Sequence, residues 1–364
     1  MIKHPNLLSP FNKGGITVKN KVAMAPMTRC RAIGNLPNDL IATYYTQRNN
    51  AGLIITEGTA PSINGIGYAR TPGIYSSDQI EAWKNVTTKT KQNNTVFFTQ
   101  LMHVGRIGHS ANMVEGATLL APSAISANAD MWTDTQGMQK TELPEEMTID
   151  QINQTIDEFV TASQNAIKAG FDGVELHGAN GYLIEQFLNS ETNIRKDGYG
   201  GTIENRAKFL LEVVKKVGDA IGFDKIGVRL SPYNQFNSMP IYNDIADMYR
   251  YLSVELNKLN IAYLHIIDYA ALATEEGRQM LTDIRNNFSN ILIRNGGYNV
   301  ERAELLIESK EADMVSFGSA YIANPDLVDR IENSHEWAKP DNTTFYTADA
   351  VGFTDYPRFN KREN

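Results

Sequence analysis

Residues 148–178 read TIDQINQTIDEFVTASQNAIKAGFDGVELHG, one complete helical pattern followed at once by one complete strand pattern. Thr148 opens a capping box with Gln151 in the fourth place, so the free N–H groups of the first turn find partners. Ile152, Ile156, Phe159 and Ala166/Ile167 recur at helical spacing, and Gly170 supplies the stop. Asp172–Gly178 is then apolar almost throughout, the pattern of a strand buried on both faces.

The same alternation extends in both directions. Short apolar runs ending in a polar or glycine-bearing turn stand at 21–26 (KVAMAP), 53–59 (LIITEGT), 95–103 (TVFFTQLMH) and 172–178. They continue at 225–231 (KIGVRLS), 262–268 (AYLHIID), 290–296 (NILIRNG) and 312–318 (ADMVSFG), eight in all. Helical patterns lie between them at 38–49, 77–91, 243–259, 275–286 and 299–310. Another is capped by Thr202, carries Ile203, Ala207, Leu210, Val214, Val217 and Ile221 as its stripe, and ends at Gly222. Asn324 before Pro325 predicts the cap of the last helix. Eight strands alternating with helices predict an all-parallel α/β fold, and eight is the number that closes a (β/α)8 TIM barrel.

The length of 364 residues admits two domains, or one barrel of about 250 residues with roughly a hundred in insertions. The unbroken alternation, with no Pro-, Gly- or Ser-rich linker, favours one domain over 1–364. Its longest interruption, 104–147, reads as a loop or hairpin excursion over the barrel mouth after the third strand. The segment before the first strand is placed at the barrel's base. Hydrophobic residues make up 42% and charged ones 21%, which excludes a disordered chain. Net charge is -8, with no basic footprint for nucleic acid. Cys30 is the one cysteine, so neither an internal disulfide nor a Cys-rich metal cluster can form. No secretory leader is readable at the start and no apolar run reaches the about 18 residues of a membrane span, so a cytoplasmic protein is expected.

In such barrels the chemistry sits at the C-terminal strand ends. There the chain offers Thr28, Glu57-Gly58, Gln100, His103, His177, Asn180, Arg229, Asp268, Gly296-Gly297 and Gly318-Ser319. The glycines after strands seven and eight suit a phosphate, which such loops bind through backbone N–H groups. The middle strands carry neutral donors and one arginine, with no carboxylate pair and no metal cage. That set suits a phosphate-bearing cofactor over a donor-lined pocket better than two-carboxylate hydrolysis.

Three segments carry a family resemblance: Ala25-Pro26-Met27-Thr28-Arg29, His177-Gly178-Ala179-Asn180-Gly181-Tyr182-Leu183-Ile184, and Asp197-Gly198-Tyr199-Gly200-Gly201-Thr202-Ile203-Glu204-Asn205-Arg206. In that order they resemble the old yellow enzyme family of FMN-dependent ene-reductases and NADPH dehydrogenases. The likeness runs from Leu7 to Pro357. It implies FMN as a tightly bound cofactor and NADPH or NADH as hydride donor. His177 and Asn180, one turn apart, would hold the oxygen of an activated alkene. Hydride would pass from flavin N5 to the β-carbon and a proton from Tyr182 to the α-carbon. Thr28 would bond the flavin C4 carbonyl, Gln100 the pyrimidine edge, and Arg229 the N1 and O2 region. Pro26, Met27 and Gly58 would line the ring, and Gly296, Gly297 and Gly318 would approach the phosphate. Phe236 and Tyr346 would shape the substrate pocket. No six-residue glycine fingerprint of a dinucleotide fold is present, and in the family the nicotinamide and the substrate use the same flavin face in turn.

Three positions depart from the family pattern. Ser319 stands where an arginine usually clamps the phosphate, which predicts weaker FMN retention or compensation from a neighbour such as Arg294. Met102 replaces a common tryptophan, which predicts a roomier pocket. Thr28 stands where some relatives carry a redox-sensing cysteine; Cys30, two residues on, reads as a buried inert thiol. His103, His109 and His265 read as structural histidines, and Glu57 and Asp268 as structural hydrogen-bonders. Two other readings stay open: a nitro-compound or nitrate-ester reductase, and a phosphosugar-binding barrel lyase. The lyase needs a strand-end lysine or a metal, and Lys21 and Lys225 lie at strand starts. Small activated alkenes, and no nucleic acid or membrane, are the expected partners of a monomer or homodimer.

Overall fold

A computed structural model describes residues 3–359. Eight parallel strands close into a barrel: β1 (Val22–Met24), β2 (Leu53–Thr59), β3 (Val96–Leu101), β4 (Gly173–Gly178), β5 (Ile226–Leu230), β6 (Tyr263–Ile267), β7 (Ile291–Asn295) and β8 (Met314–Phe317). Each pairs with its neighbours in sequence, and β8 closes on β1. Around them stand α1 (Asp39–Gln47), α2 (Ser77–Thr90), α3 (Ile149–Lys168), α4 (Ile203–Ile221), α5 (Ile245–Lys258), α6 (Glu275–Asn287), α7 (Val300–Glu308) and α8 (Leu327–Asn333).

The helix ends follow local chemistry. Thr148 accepts from the Gln151 N–H while the Gln151 side chain bonds back to Thr148, and Ser76 with Gln79 does the same for α2. Gly222 closes α4 at φ 98°, a conformation that only glycine adopts without strain. One expectation fails. Asn324 does not cap α8, which begins after Asp326. Instead Asn324 ends the short helix Ser319–Ala323 and bonds Ala338 through both its amide nitrogen and its amide oxygen. One short helix thus ends at Asn324, where a helix was expected to open, and the last helix begins after Asp326.

Inside the barrel the pleat sorts side chains. The lower interior is apolar, built from Ala23, Leu53, Ile55, Phe98, Tyr263, Ile291, Ile293 and Met314. Ile16 and Val18 of an N-terminal hairpin (Phe11–Lys13 with Ile16–Val18) plug it from below. The next inward positions up the strands are polar, since side chains two residues apart share a face. Register sets Gln100 level with Glu175, His177 level with Arg229, and Arg229 level with His265. A floor of hydrocarbon under a polar layer therefore points the chemistry at the upper mouth. Within 104–147 a second hairpin, Asp130–Thr133 with Gly137–Lys140, hangs over that mouth.

Candidate active site

The mouth holds a cavity of about 400 Å³, within the range of small-molecule sites. Pro26, Thr28, Gln100, Met102, His177, Asn180, Tyr182, Arg229, Phe236 and Tyr346 line it, and no lysine among the described residues does. Met27, Gly58, Gly296, Gly297, Gly318 and Ser319 lie outside its wall.

His177 is the last residue but one of β4 and its imidazole is buried. Burial, then the charge of Arg229 and the neighbouring His265, hold it well below the ordinary histidine range, so the ring is neutral. The Ala179 N–H donates to Nδ1 at 3.3 Å, which leaves the proton on Nε2. Asn180 follows in a left-handed turn at φ 58° rather than in a helix, so the expected helical turn between the two residues is absent. Its amide orientation is set at a distance. The Phe236 N–H must donate, so Asn234 Oδ1 is the acceptor and Asn234 Nδ2 donates to Asn180 Oδ1 at 3.0 Å. Asn180 Nδ2 is left as the free donor.

Tyr182 packs its ring edge-on to His177 at 4.8 Å between centroids. Its hydroxyl donates to Tyr68 at 3.0 Å, and burial raises the phenol above its ordinary value. Glu185 holds this turn from behind: its carboxylate accepts from Gly181 N (2.6 Å), Ser231 Oγ (2.8 Å) and Tyr249 (3.0 Å). Ser231 in turn accepts the Asn180 N–H at 2.8 Å.

On the barrel floor Gln100 Nε2 donates to Glu175 at 2.8 Å, which leaves the Gln100 carbonyl oxygen without a partner among the described residues. Arg229 donates to Asn295 through Nη2 at 3.1 Å, while its buried Nε has no partner among the described residues. Thr28 sits in a loop held by Glu57, whose Oε2 accepts the Arg29 N–H. A register shift in β2 between Ile55 and Gly58 accompanies that placement. Arg29 and Arg31, both buried, bond carbonyls of the C-terminal stretch, among them Phe345, Thr344 and Gly352, and so hold Tyr346 at the rim.

The glycines separate into two kinds. A Cβ on Gly297 (φ 73°) would meet nothing within 4 Å, and one on Gly318 only ordinary contacts, Met27 Sδ at 3.7 Å and Met27 Cγ and Ala25 Cβ at 4.0 Å. Neither N–H donates a hydrogen bond among the described residues. These ends of β7 and β8 form an open cradle. A Cβ on Gly296 would instead run into the buried Asp268 carboxylate, and one on Gly58 into the flexible end of Met102. Arg294, expected as a stand-in phosphate clamp, is buried in an ion pair with Asp268, which also takes the Tyr298 hydroxyl. Its position alternates with the inward-facing Ile293, so it faces the helix layer rather than the cradle. Cys30 lies at the cavity edge with its thiol pushed up to about 12, mainly by burial and then by Glu57, which makes it unreactive.

Several lining residues are absent from the sequence reading: Tyr68, Arg70, Met131, Trp132, Met138 and Asn237. Tyr68, Arg70 and Asn237 sit on loops, and Met131, Trp132 and Met138 on the short strands of the hairpin over the mouth, too brief for a pattern to show. Glu175 and His265 were legible, because each occupies an inward position on its strand; Glu175 stands two residues before His177.

The sequence pattern of the NADH:flavin oxidoreductase / NADH oxidase family matches residues 6–337. Putative 12-oxophytodienoate reductase 5 of Oryza sativa subsp. japonica is 39% identical over 98% of this chain and 96% of its own length. The 12-oxophytodienoate reductase 1 of the same plant is 39% identical over 96% and 92%. Among solved structures, morphinone reductase is similar with a TM-score of 0.94 at 36% identity, covering 100% of this chain and 99% of its own. A morphinone reductase structure in complex with tetrahydroNAD gives 0.93 at 37%, covering 98% and 99%.

Proposed function

The chain belongs to the NADH:flavin oxidoreductase / NADH oxidase family, that of the old yellow enzymes, and we propose that it reduces activated C=C bonds of small α,β-unsaturated carbonyl or nitro compounds, with NADPH or NADH as hydride donor. It is an FMN-dependent oxidoreductase of the ene-reductase kind. The residues present suit that cofactor: the unpartnered Arg229 Nε, the free Gln100 carbonyl oxygen and the open cradle at Gly297 and Gly318 each lack a protein partner. Thr28, Gln100 and Arg229 would hold the ring system, with Pro26, Met27 and Gly58 along it. Gly296, Gly297, Gly318 and Ser319 would stand by the phosphate. FMN, when bound, supplies hydride transfer from the nicotinamide to the alkene.

One observation carries the reading: two neutral N–H donors and one phenol converge on a single cavity. His177 Nε2–H and Asn180 Nδ2–H grip the carbonyl or nitro oxygen. Charge developing on that oxygen meets donors already in place, which is where preorganised hydrogen bonds act most strongly. The neutrality of His177 suits this role, because it donates without carrying a full charge of its own into the site. Tyr182 gives its phenolic proton to the α-carbon; the two phenols, 3.0 Å apart, exchange roles for that step, so that Tyr68 donates to the Tyr182 oxygen as the proton leaves. Met102, Phe236 and Tyr346 shape the walls against which the substrate lies.

The test uses the purified holoenzyme. NADPH or NADH should bleach the yellow flavin under anaerobic conditions, and cyclohexenone or N-ethylmaleimide should restore it. In Tyr182→Phe bleaching should persist, while restoration by cyclohexenone slows by about 10²- to 10⁴-fold, the usual range for a positioned acid. A colourless protein that takes up no FMN, or equal restoration rates in the two proteins, refutes the reading.

A further inference from the structure

Below the cavity a chain of buried polar groups crosses the barrel from wall to wall. Ser316 Oγ lies 2.8 Å from His265 Nε2, and His265 Nδ1 lies 2.8 Å from Glu175 Oε2. The other carboxylate oxygen of Glu175 accepts from Gln100 Nε2. All four residues are buried, and burial pulls His265 below its ordinary value, so the ring is neutral. The proton order is then set: Ser316 O–H donates to Nε2, and Nδ1–H donates to Glu175. Cations near this carboxylate are few. Arg229 on the adjacent strand is the charged partner, raised in its proton affinity by Glu175 against the larger effect of burial.

We propose that Glu175 is a positioning residue for the flavin: it fixes which end of the Gln100 amide meets the cofactor, and its charge sets the reduction potential of the bound ring. Both effects follow from the chemistry of a carboxylate. It accepts hydrogen bonds only, so Gln100 must turn its nitrogen down and its carbonyl oxygen up. That oxygen can receive an N–H from a planar heterocycle, while the second amide hydrogen stays available as a donor. The carboxylate charge also lies under the place where negative charge accumulates on reduction, in a water-excluded interior where electrostatic effects are large. Arg229 favours the reduced cofactor and Glu175 opposes it. The potential therefore rests on a pair of opposite charges rather than on Arg229 alone.

The inference rests on FMN occupying the cavity above Gln100 and Arg229. Two variants separate its parts. Glu175→Gln keeps the shape and lets the chain of hydrogen bonds reform with the other His265 tautomer, but removes the charge; the midpoint potential of bound FMN should move positive. Glu175→Asp keeps the charge and withdraws it by one methylene from Gln100. The FMN Kd, read from flavin fluorescence released on diluting the holoenzyme, should rise about tenfold, the size of one lost charge-assisted hydrogen bond. An unchanged potential in Glu175→Gln, or an unchanged Kd in Glu175→Asp, overturns the proposal. Should Glu175→Gln not be recovered folded, the Kd of Glu175→Asp decides alone. Gln100→Ala distinguishes the two levels: if it leaves the FMN Kd unaltered, the placement of the flavin itself falls, and this proposal with it.

Discussion

Replacing Glu185 by glutamine tests whether the catalytic turn is held by a buried charge. In the folded protein burial pushes this carboxyl up to about 7 from an ordinary 4.5, against the pull of its bonds to Gly181, Ser231 and Tyr249. The unfolded chain thus gives up the proton first as pH rises. Between about 4.5 and 7 the folded state binds the extra proton, so its stability falls with rising pH and then levels off. At about 1.4 kcal/mol for each pH unit the whole loss comes to about 3–4 kcal/mol. Glutamine does not titrate, so in Glu185→Gln this component vanishes. The variant has its own cost at low pH. Its amide oxygen can keep the Gly181 N–H, but its nitrogen then meets the Ser231 and Tyr249 hydroxyls and no longer accepts from them, and a buried hydroxyl left without its acceptor costs about 1–3 kcal/mol. The assay is urea denaturation of both proteins, saturated with FMN, at pH 5 and pH 8. The variant should be less stable at pH 5, and the gap should close or reverse by pH 8. The change in the gap should be about 2–3 kcal/mol, part of the fall lying below pH 5, because Glu57 and the histidines titrate alike in both proteins. The same pH dependence in wild type and variant refutes the argument.

Two further outcomes concern the site. Ser319→Arg adds a cation beside the open cradle, on an exposed position with no clash at Gly318, and should tighten FMN binding by roughly ten- to a hundredfold; fluorescence titration of the apoprotein reads it, and an unaltered Kd counts against Ser319 facing the phosphate. Asn234→Ala removes the donor that orients the Asn180 amide, and should weaken binding of a carbonyl inhibitor by about 1 kcal/mol in a flavin-perturbation titration, with some loss of thermal stability because the Phe236 N–H and Tyr269 hydroxyl lose their acceptor.

Much of this fold is encoded within short stretches. The eight strands and the capping boxes at Thr148 and Ser76 depend on residues within one or two turns of each other, and the barrel follows from their order. The Asn324 expectation failed for the opposite reason: Asn-Pro is a common helix start, but Ala338, fourteen residues on, claims both ends of the Asn324 side chain. Arg294 failed likewise. Its strand position was readable, whereas its capture by Asp268 needed the neighbouring strand.

By itself the sequence determined the barrel, the strand ends where chemistry gathers, and the family motifs around Pro26, His177 and Tyr182. Periodicity and capping are local, and a pattern repeated eight times leaves one way to bury every apolar face. Tertiary structure alone decided which atoms face the cavity. The Asn180 amide is turned by a residue 54 positions away, and the Glu175–His265 contact joins residues 90 positions apart. A hydrogen-bond donor has a direction only once its competing acceptors are in place, and the closed barrel puts them there.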